Sequence, residues 1–240
     1  LFTFQNGINN SKTDFFLMGN SIFKNLSEKP LCIGFYNPTK GILSDLFGVV
    51  DKLDGLLSDS ICSTLQLFTS LARRLKQENN ALLWTHVGHS EGGMIAQTLL
   101  TMLQHDPKYA DTRQYFKEHL ITLTYGAVLP IPKKYVLKTM NTYSIEDNAT
   151  WPRVQKLLQN HEEGPNKYQI QLIDPTQNRA AEKVARAGAS SPISLQSIAE
   201  PFLYYMKGGD HGFQNQTYQI ALHDNIKNLR DKEHIYEYGK

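Results

Sequence analysis

Cysteine is almost missing from this chain: its 240 residues include two, Cys32 and Cys62. That excludes a disulfide-stapled fold, and a chain of this length can bury a sizeable core without one. Cys32 lies in an apolar strand-like run and Cys62 in a helical pattern, so both are expected to be buried thiols. An excess of one charge is missing too. The 25 basic and 23 acidic side chains leave a formal net charge of +2, too even to imply a nucleic-acid or membrane-surface partner. No stretch reaches the roughly 20 apolar residues that a transmembrane helix requires. Also absent are a G-x-G-x-x-G after the first strand, a Walker A loop and H-E-x-x-H spacing. The chain therefore carries no signature of a dinucleotide, P-loop or zinc site, and no cofactor or metal is expected. No repeat or shift in composition marks a second domain, and residues 1–240 are expected to form one. The chain opens at Leu1 directly on a strand-like run, which suggests a fragment of a longer protein. Its compartment, bacterial cytoplasmic or secreted, is left open.

What is present is an alternation of two periodicities. Short apolar runs at Leu1–Gln5, Leu31–Tyr36, Leu82–Val87, Ile121–Tyr125, Lys138–Ile145, Tyr168–Ile173 and Phe202–Met206 read as strands. Most lack a polar face, which suits strands buried on both sides of a mainly parallel sheet. Between them, Ser11-Lys12-Thr13-Asp14 has the form of a capping box and opens a helix carrying Phe15, Phe16, Ile22, Phe23 and Leu26. Ile61, Leu65, Phe68, Leu71, Ala72 and Leu75 follow helical spacing, as do Ile95, Ala96, Leu99, Leu100 and Leu103. A further helix is expected from about Gln214 to Leu229. This alternation predicts an α/β fold, a parallel sheet flanked by helices.

Two segments break the rhythm. Asn37–Ser60 carries Leu43, Leu46, Phe47, Val49, Val50, Leu53 and Leu57. It fits either a helix packed on the sheet edge or an apolar lid over an active site. Asp174–Glu200 is rich in Ala, Ser and Arg and is expected to hold a short helix ending near Gly188, then a surface loop.

The stretch from Leu82 to Ala96 carries the chemistry. It contains G-x-S-x-G as Gly88, Ser90 and Gly92, with an apolar strand before it and a helix after it. A serine on a sharp strand-to-helix turn projects its hydroxyl above the sheet, and glycines two residues to either side let the backbone close. The helix then directs its N-terminal amides toward the reaction centre. The competing reading is a tight glycine-rich turn with an idle serine.

These residues resemble the α/β-hydrolase superfamily, in its lipase and esterase branch. Gly88-His89-Ser90-Glu91-Gly92-Gly93 resembles the elbow of bacterial esterases, and Leu123-Thr124-Tyr125-Gly126-Ala127-Val128-Leu129-Pro130 resembles a strand end of class 3-type lipases. Asn6–Asn10 and Tyr36–Thr39 also resemble an uncharacterised chlamydial family, a likeness that implies nothing about activity.

The superfamily resemblance implies a triad in the order serine, acid, histidine. Of the histidines after Ser90, His211 lies in Lys207-Gly208-Gly209-Asp210-His211-Gly212-Phe213, just beyond an apolar strand, and is the expected base. His223 is mid-helix and His234 lies in a charged tail. Asp147, at the end of the Lys138–Ile145 strand, is the expected acid, with Asp174 its main competitor. Glu146 should point to the opposite side. An Asx turn or helix cap ahead of Trp151 is the structural alternative for Asp147. The oxyanion hole is expected from the backbone N–H groups of Glu91 and Ile8, the latter beyond Gly7 on the loop after the first strand.

The expected function is a serine hydrolase cleaving an ester, thioester or amide through an acyl-enzyme on Ser90. Its partner would be a small-molecule or lipid-like acyl substrate. An acyltransferase using the same triad and a non-catalytic binding module on the same scaffold are the competing readings.

Overall fold

The computed structural model describes residues 1–7, 11–24, 26, 30–38, 59–78, 82–147, 150, 154–156, 167–173 and 216–237. The strands are β1 (Phe2–Gln5), β2 (Cys32–Phe35), β3 (Trp84–His89), β4 (Leu120–Tyr125), β5 (Lys138–Ser144) and β6 (Ile170–Ile173). They form one sheet in the order β2-β1-β3-β4-β5-β6, and every pairing is parallel. The helices are α1 (Lys12–Lys24), α2 (Asp59–Gln77), α3 (Glu91–His105), α4 (Ala110–His119) and α5 (Gln216–Glu237). This is the expected α/β architecture. The remaining expected strand, Phe202–Met206, and the segment 174–200 lie outside the described residues.

The chain steps from β1 outward to β2, then reverses across β1 to reach β3. Crossovers of one hand require that reversal to switch faces, and the cores record it. On one face, Leu65, Phe68 and Ala72 of α2, Leu99 and Leu103 of α3 and Phe116 of α4 pack with Trp84 and Leu120. On the other, Met18 and Ile22 of α1 and Ala221, Leu222 and Ile226 of α5 pack with Phe4, Val87, Leu123 and Tyr125.

The strands depart from expectation in one respect. Their α2–α3 face buries polar side chains, which are paired across the strands. Trp84 Nε1 donates to Thr3 Oγ1 (2.8 Å), Thr3 Oγ1 lies 2.9 Å from His86 Nδ1, and Thr122 Oγ1 donates to Thr139 Oγ1 (2.8 Å). Mutual pairing lets these groups sit where apolar residues were expected. The edge strands β2 and β6 are only partly buried, because each has one neighbouring strand. Cys32 on β2 and Cys62 on α2 are accordingly free and half-buried, not fully buried, and burial still pushes the Cys32 thiol up. No described helix is long and apolar enough to cross a membrane.

Local chemistry explains the helix starts. Asp14 accepts from the Ser11 N–H (2.8 Å) and Ser11 Oγ accepts from the Asp14 N–H (3.1 Å), the reciprocal capping box opening α1. Asp106 caps a single turn at Pro107–Tyr109 that leads into α4. Hydrophobic spacing does not announce α4, since it buries only Thr112, Tyr115 and Phe116.

Candidate active site

Parallel strands deliver their C-terminal ends to one edge of the sheet, and a ligand crevice belongs where the strand order reverses, between β1 and β3. The loops after those two strands meet there. Ser90 joins β3 to α3 with φ 51° and ψ −119°, and it is the one described non-glycine residue with positive φ. Such a backbone costs roughly 1–3 kcal/mol and persists only where the surroundings enforce it. They do so from both sides. The Ser90 N–H donates to Tyr125 O (3.0 Å), continuing the β3–β4 ladder, while Ser90 O accepts the Met94 N–H (3.3 Å) and starts α3.

The glycines account for the tightness of the turn. A Cβ on Gly88 would stand 2.8 Å from Gly93 Cα, across the turn itself. A Cβ on Gly92 would stand 2.4 Å from Gln5 O, so this glycine is required by the neighbouring loop and not by the turn. Gly7 is closer still to the chemistry. A Cβ there would lie 2.6 Å from Ser90 Cβ and 3.1 Å from Ser90 Oγ. The backbone after β1 therefore lies against the serine hydroxyl with no side chain between them. Ile8, which follows, lies outside the described residues. Glu91 is the first residue of α3, so its backbone stands at the positive end of the helix dipole.

The Glu91 side chain is buried, and its carboxylate accepts from Asn37 Nδ2 at the end of β2. Nothing in the local sequence points to that contact, since the two residues are 54 apart in the chain. Asn37 and Pro38 are the described part of the apolar 37–60 segment before α2 begins; residues 39–58 lie outside the described ones.

Asp147 follows β5 on the same edge of the sheet and is fully buried, while Glu146 is half-exposed. Asp147 Oδ2 accepts from Tyr218 Oη (2.6 Å) and Thr150 Oγ1 (2.8 Å), and Oδ1 accepts from the Thr150 N–H (3.3 Å). The carboxylate thus closes a local turn, the structural alternative foreseen for it, and also reaches α5 through Tyr218. Tyr218 in turn faces the His89 ring edge-on at 6.3 Å between centroids, which links the acid's surroundings to the residue before Ser90. Sequence reading missed this tyrosine as a partner of the acid. The only signal was its place after the His211 loop.

His211 and Asp174 lie outside the described residues, and His223 is exposed on α5. The structure thus brings together Ser90, Gly7, Gly88, Gly92 and Glu91 at one point on the sheet edge, with Asp147 two strands along the same edge. Among the described residues no group of three His, Cys, Asp or Glu side chains could hold a metal ion. No family model matches the chain, and no curated protein matches it.

Proposed function

We propose that this chain is a serine hydrolase of the α/β-hydrolase type, cleaving a carboxylic ester, thioester or amide through an acyl-enzyme on Ser90. The observation that carries this reading is the backbone of Ser90, φ 51° and ψ −119° at a strand-to-helix turn. A nucleophile elbow needs that strained geometry, whereas an idle turn would relieve it with glycine. Support comes from Gly7, whose missing side chain leaves backbone amides free to approach an oxyanion beside Ser90 Oγ. The buried Asp147 carboxylate, at the same edge of the sheet, is the proposed group to orient the imidazole.

In this mechanism His211 takes the Ser90 proton as Oγ attacks the acyl carbonyl. The N–H groups of Glu91 and Ile8 hold the oxyanion. The tetrahedral intermediate collapses with proton transfer from His211 to the leaving alcohol, thiol or amine, and water activated by the same imidazole releases the acid. A small-molecule or lipid-like acyl compound is the proposed substrate class.

Fluorophosphonate labelling of the folded protein, with mass spectrometry of its peptides, tests the reading. One adduct on Ser90 is expected, absent in Ser90→Ala and slowed on the order of 10³-fold or more in His211→Ala. An unlabelled wild-type protein, with and without detergent, would retire the enzyme and favour a binding module on the same scaffold.

A further inference from the structure

Only the backbone N–H of residue 91 is needed for an oxyanion hole, so a buried carboxylate there calls for its own explanation. Burying an acid costs free energy unless its oxygens are hydrogen-bonded. Glu91, Asn37 and Asn6 are all buried, with 3%, 8% and 1% of their surface exposed. They are joined in series. Glu91 Oε2 accepts from Asn37 Nδ2. The Asn37 backbone N–H donates to Asn6 Oδ1 (2.8 Å), and Asn6 Nδ2 donates back to Asn37 O (2.9 Å) and to Gly7 O (3.0 Å). The pairing of β1 with β2 ends at Gln5 and Phe35, so the Asn6 amide adds one more rung beyond the ladder. The series closes on itself, because Gly7 lies against Ser90 and Ser90 adjoins Glu91.

We propose that the Glu91 side chain is a positioning residue for this site: through Asn37 and Asn6 it holds the loop after β1 at a fixed distance from Ser90. The inference rests on the serine-hydrolase reading. The loop carries the proposed Ile8 donor, and a misplacement near 1 Å can lower a rate about 10²-fold. The strap ties three loops, those after β1, β2 and β3, at the point where strand order reverses.

The test uses Asn37→Ala, Glu91→Ala and Asn6→Asp, each checked for native near-ultraviolet circular dichroism. Asn6→Asp keeps the acceptor and loses both donated bonds. Each folded variant should lower the limiting rate of fluorophosphonate inactivation about 10²-fold, with the half-saturating concentration unchanged. Glu91→Gln, whose amide oxygen still accepts from Asn37, should recover at least about tenfold over Glu91→Ala, since a hydrogen bond and not charge is the link. Hydrogen exchange gives a readout independent of chemistry: a peptide covering Asn6 and Gly7 should exchange faster in each folded variant, while β3 stays protected. Any folded variant that is labelled at the wild-type rate overturns the proposal, as does Glu91→Gln matching Glu91→Ala. If the wild-type protein is not labelled, the hydrolase reading fails, and unchanged exchange at Asn6 and Gly7 then overturns the strap separately.

Discussion

At Asp147 two hydrogen-bond donors converge on one carboxylate oxygen, Tyr218 Oη at 2.6 Å and Thr150 Oγ1 at 2.8 Å. A bond from a hydroxyl to a buried carboxylate contributes roughly 1.5–3 kcal/mol, because the charge has no solvent to replace a lost donor. Tyr218→Phe keeps the ring and its packing against Tyr125 (6.0 Å between centroids) and removes the hydroxyl, which donates to Asp147 and accepts weakly from the Ser144 N–H (3.4 Å). The free energy of unfolding in urea should fall by that amount, through a lower midpoint at an unchanged m-value. A loss below about 0.5 kcal/mol, the level of an indifferent surface change, would show that Thr150 suffices. The two partners differ in how readable they were. Asp147 stands out as an acid at a strand end, and Thr150 is three residues away. Tyr218 is 71 residues distant in the chain, and only the packing of α5 on the sheet brings it there.

Elements were legible wherever burial repeats along the chain. β3 and β4 are buried at every position, and α3 presents Ile95, Leu99, Leu100 and Leu103 to the core, so apolar runs and helical spacing found them. The crossover between β4 and β5 is different. Beside backbone bonds from Gly126 and Leu137 it is tied by one side chain, Asn141, which accepts from the Ile131 N–H (2.8 Å) and Thr124 Oγ1 (3.0 Å) and donates to Ile131 O (3.1 Å) and Gln169 O (3.0 Å). This buried amide supplements the isolated bridge between Pro132 and Tyr168, and no periodicity announces it. Asn141→Ala would take away the partner of the buried Ile131 N–H and the bonds to Ile131 O and Thr124 Oγ1, while Gln169 O keeps the Asn141 backbone N–H (3.0 Å). With each such group costing about 1–3 kcal/mol and partial relaxation expected, the variant should lose about 3 kcal/mol in urea unfolding. A loss under about 1 kcal/mol, no more than one ordinary hydrogen bond, would mean that the crossover is held by Ile131 and Tyr135 in the core instead.

For the whole molecule, strand order was the part that residue patterns could not supply. Alternating strands and helices are compatible with several parallel topologies, and the reversal between β1 and β3 is fixed by which faces the helices cover. That reversal also places His86 at the centre of the sheet, fully buried beside Phe68 with rings 5.1 Å apart. Thr3 Oγ1, which accepts from Trp84 Nε1, also lies within hydrogen-bond distance of His86 Nδ1 (2.9 Å). The other ring nitrogen, Nε2, is buried with no hydrogen-bond partner among the described residues. A second proton would bring an uncompensated charge into the core, and burial accordingly lowers the His86 pKa from 6.5 to about 3. Unfolding restores the ordinary value, so between these limits the unfolded chain binds more protons than the folded one. Stability therefore rises with pH: the contribution is complete above about pH 6.5 and is lost as pH falls toward 3. The slope from this one group approaches about 1.4 kcal/mol per pH unit. His86→Gln cannot titrate and can still hydrogen-bond to Thr3. Urea unfolding of both proteins between pH 7 and pH 4 should show wild-type stability falling more steeply, by about that slope below pH 6. Parallel curves would mean that the folded protein admits a proton at His86 without strain, and that the central sheet is wetter than its packing implies.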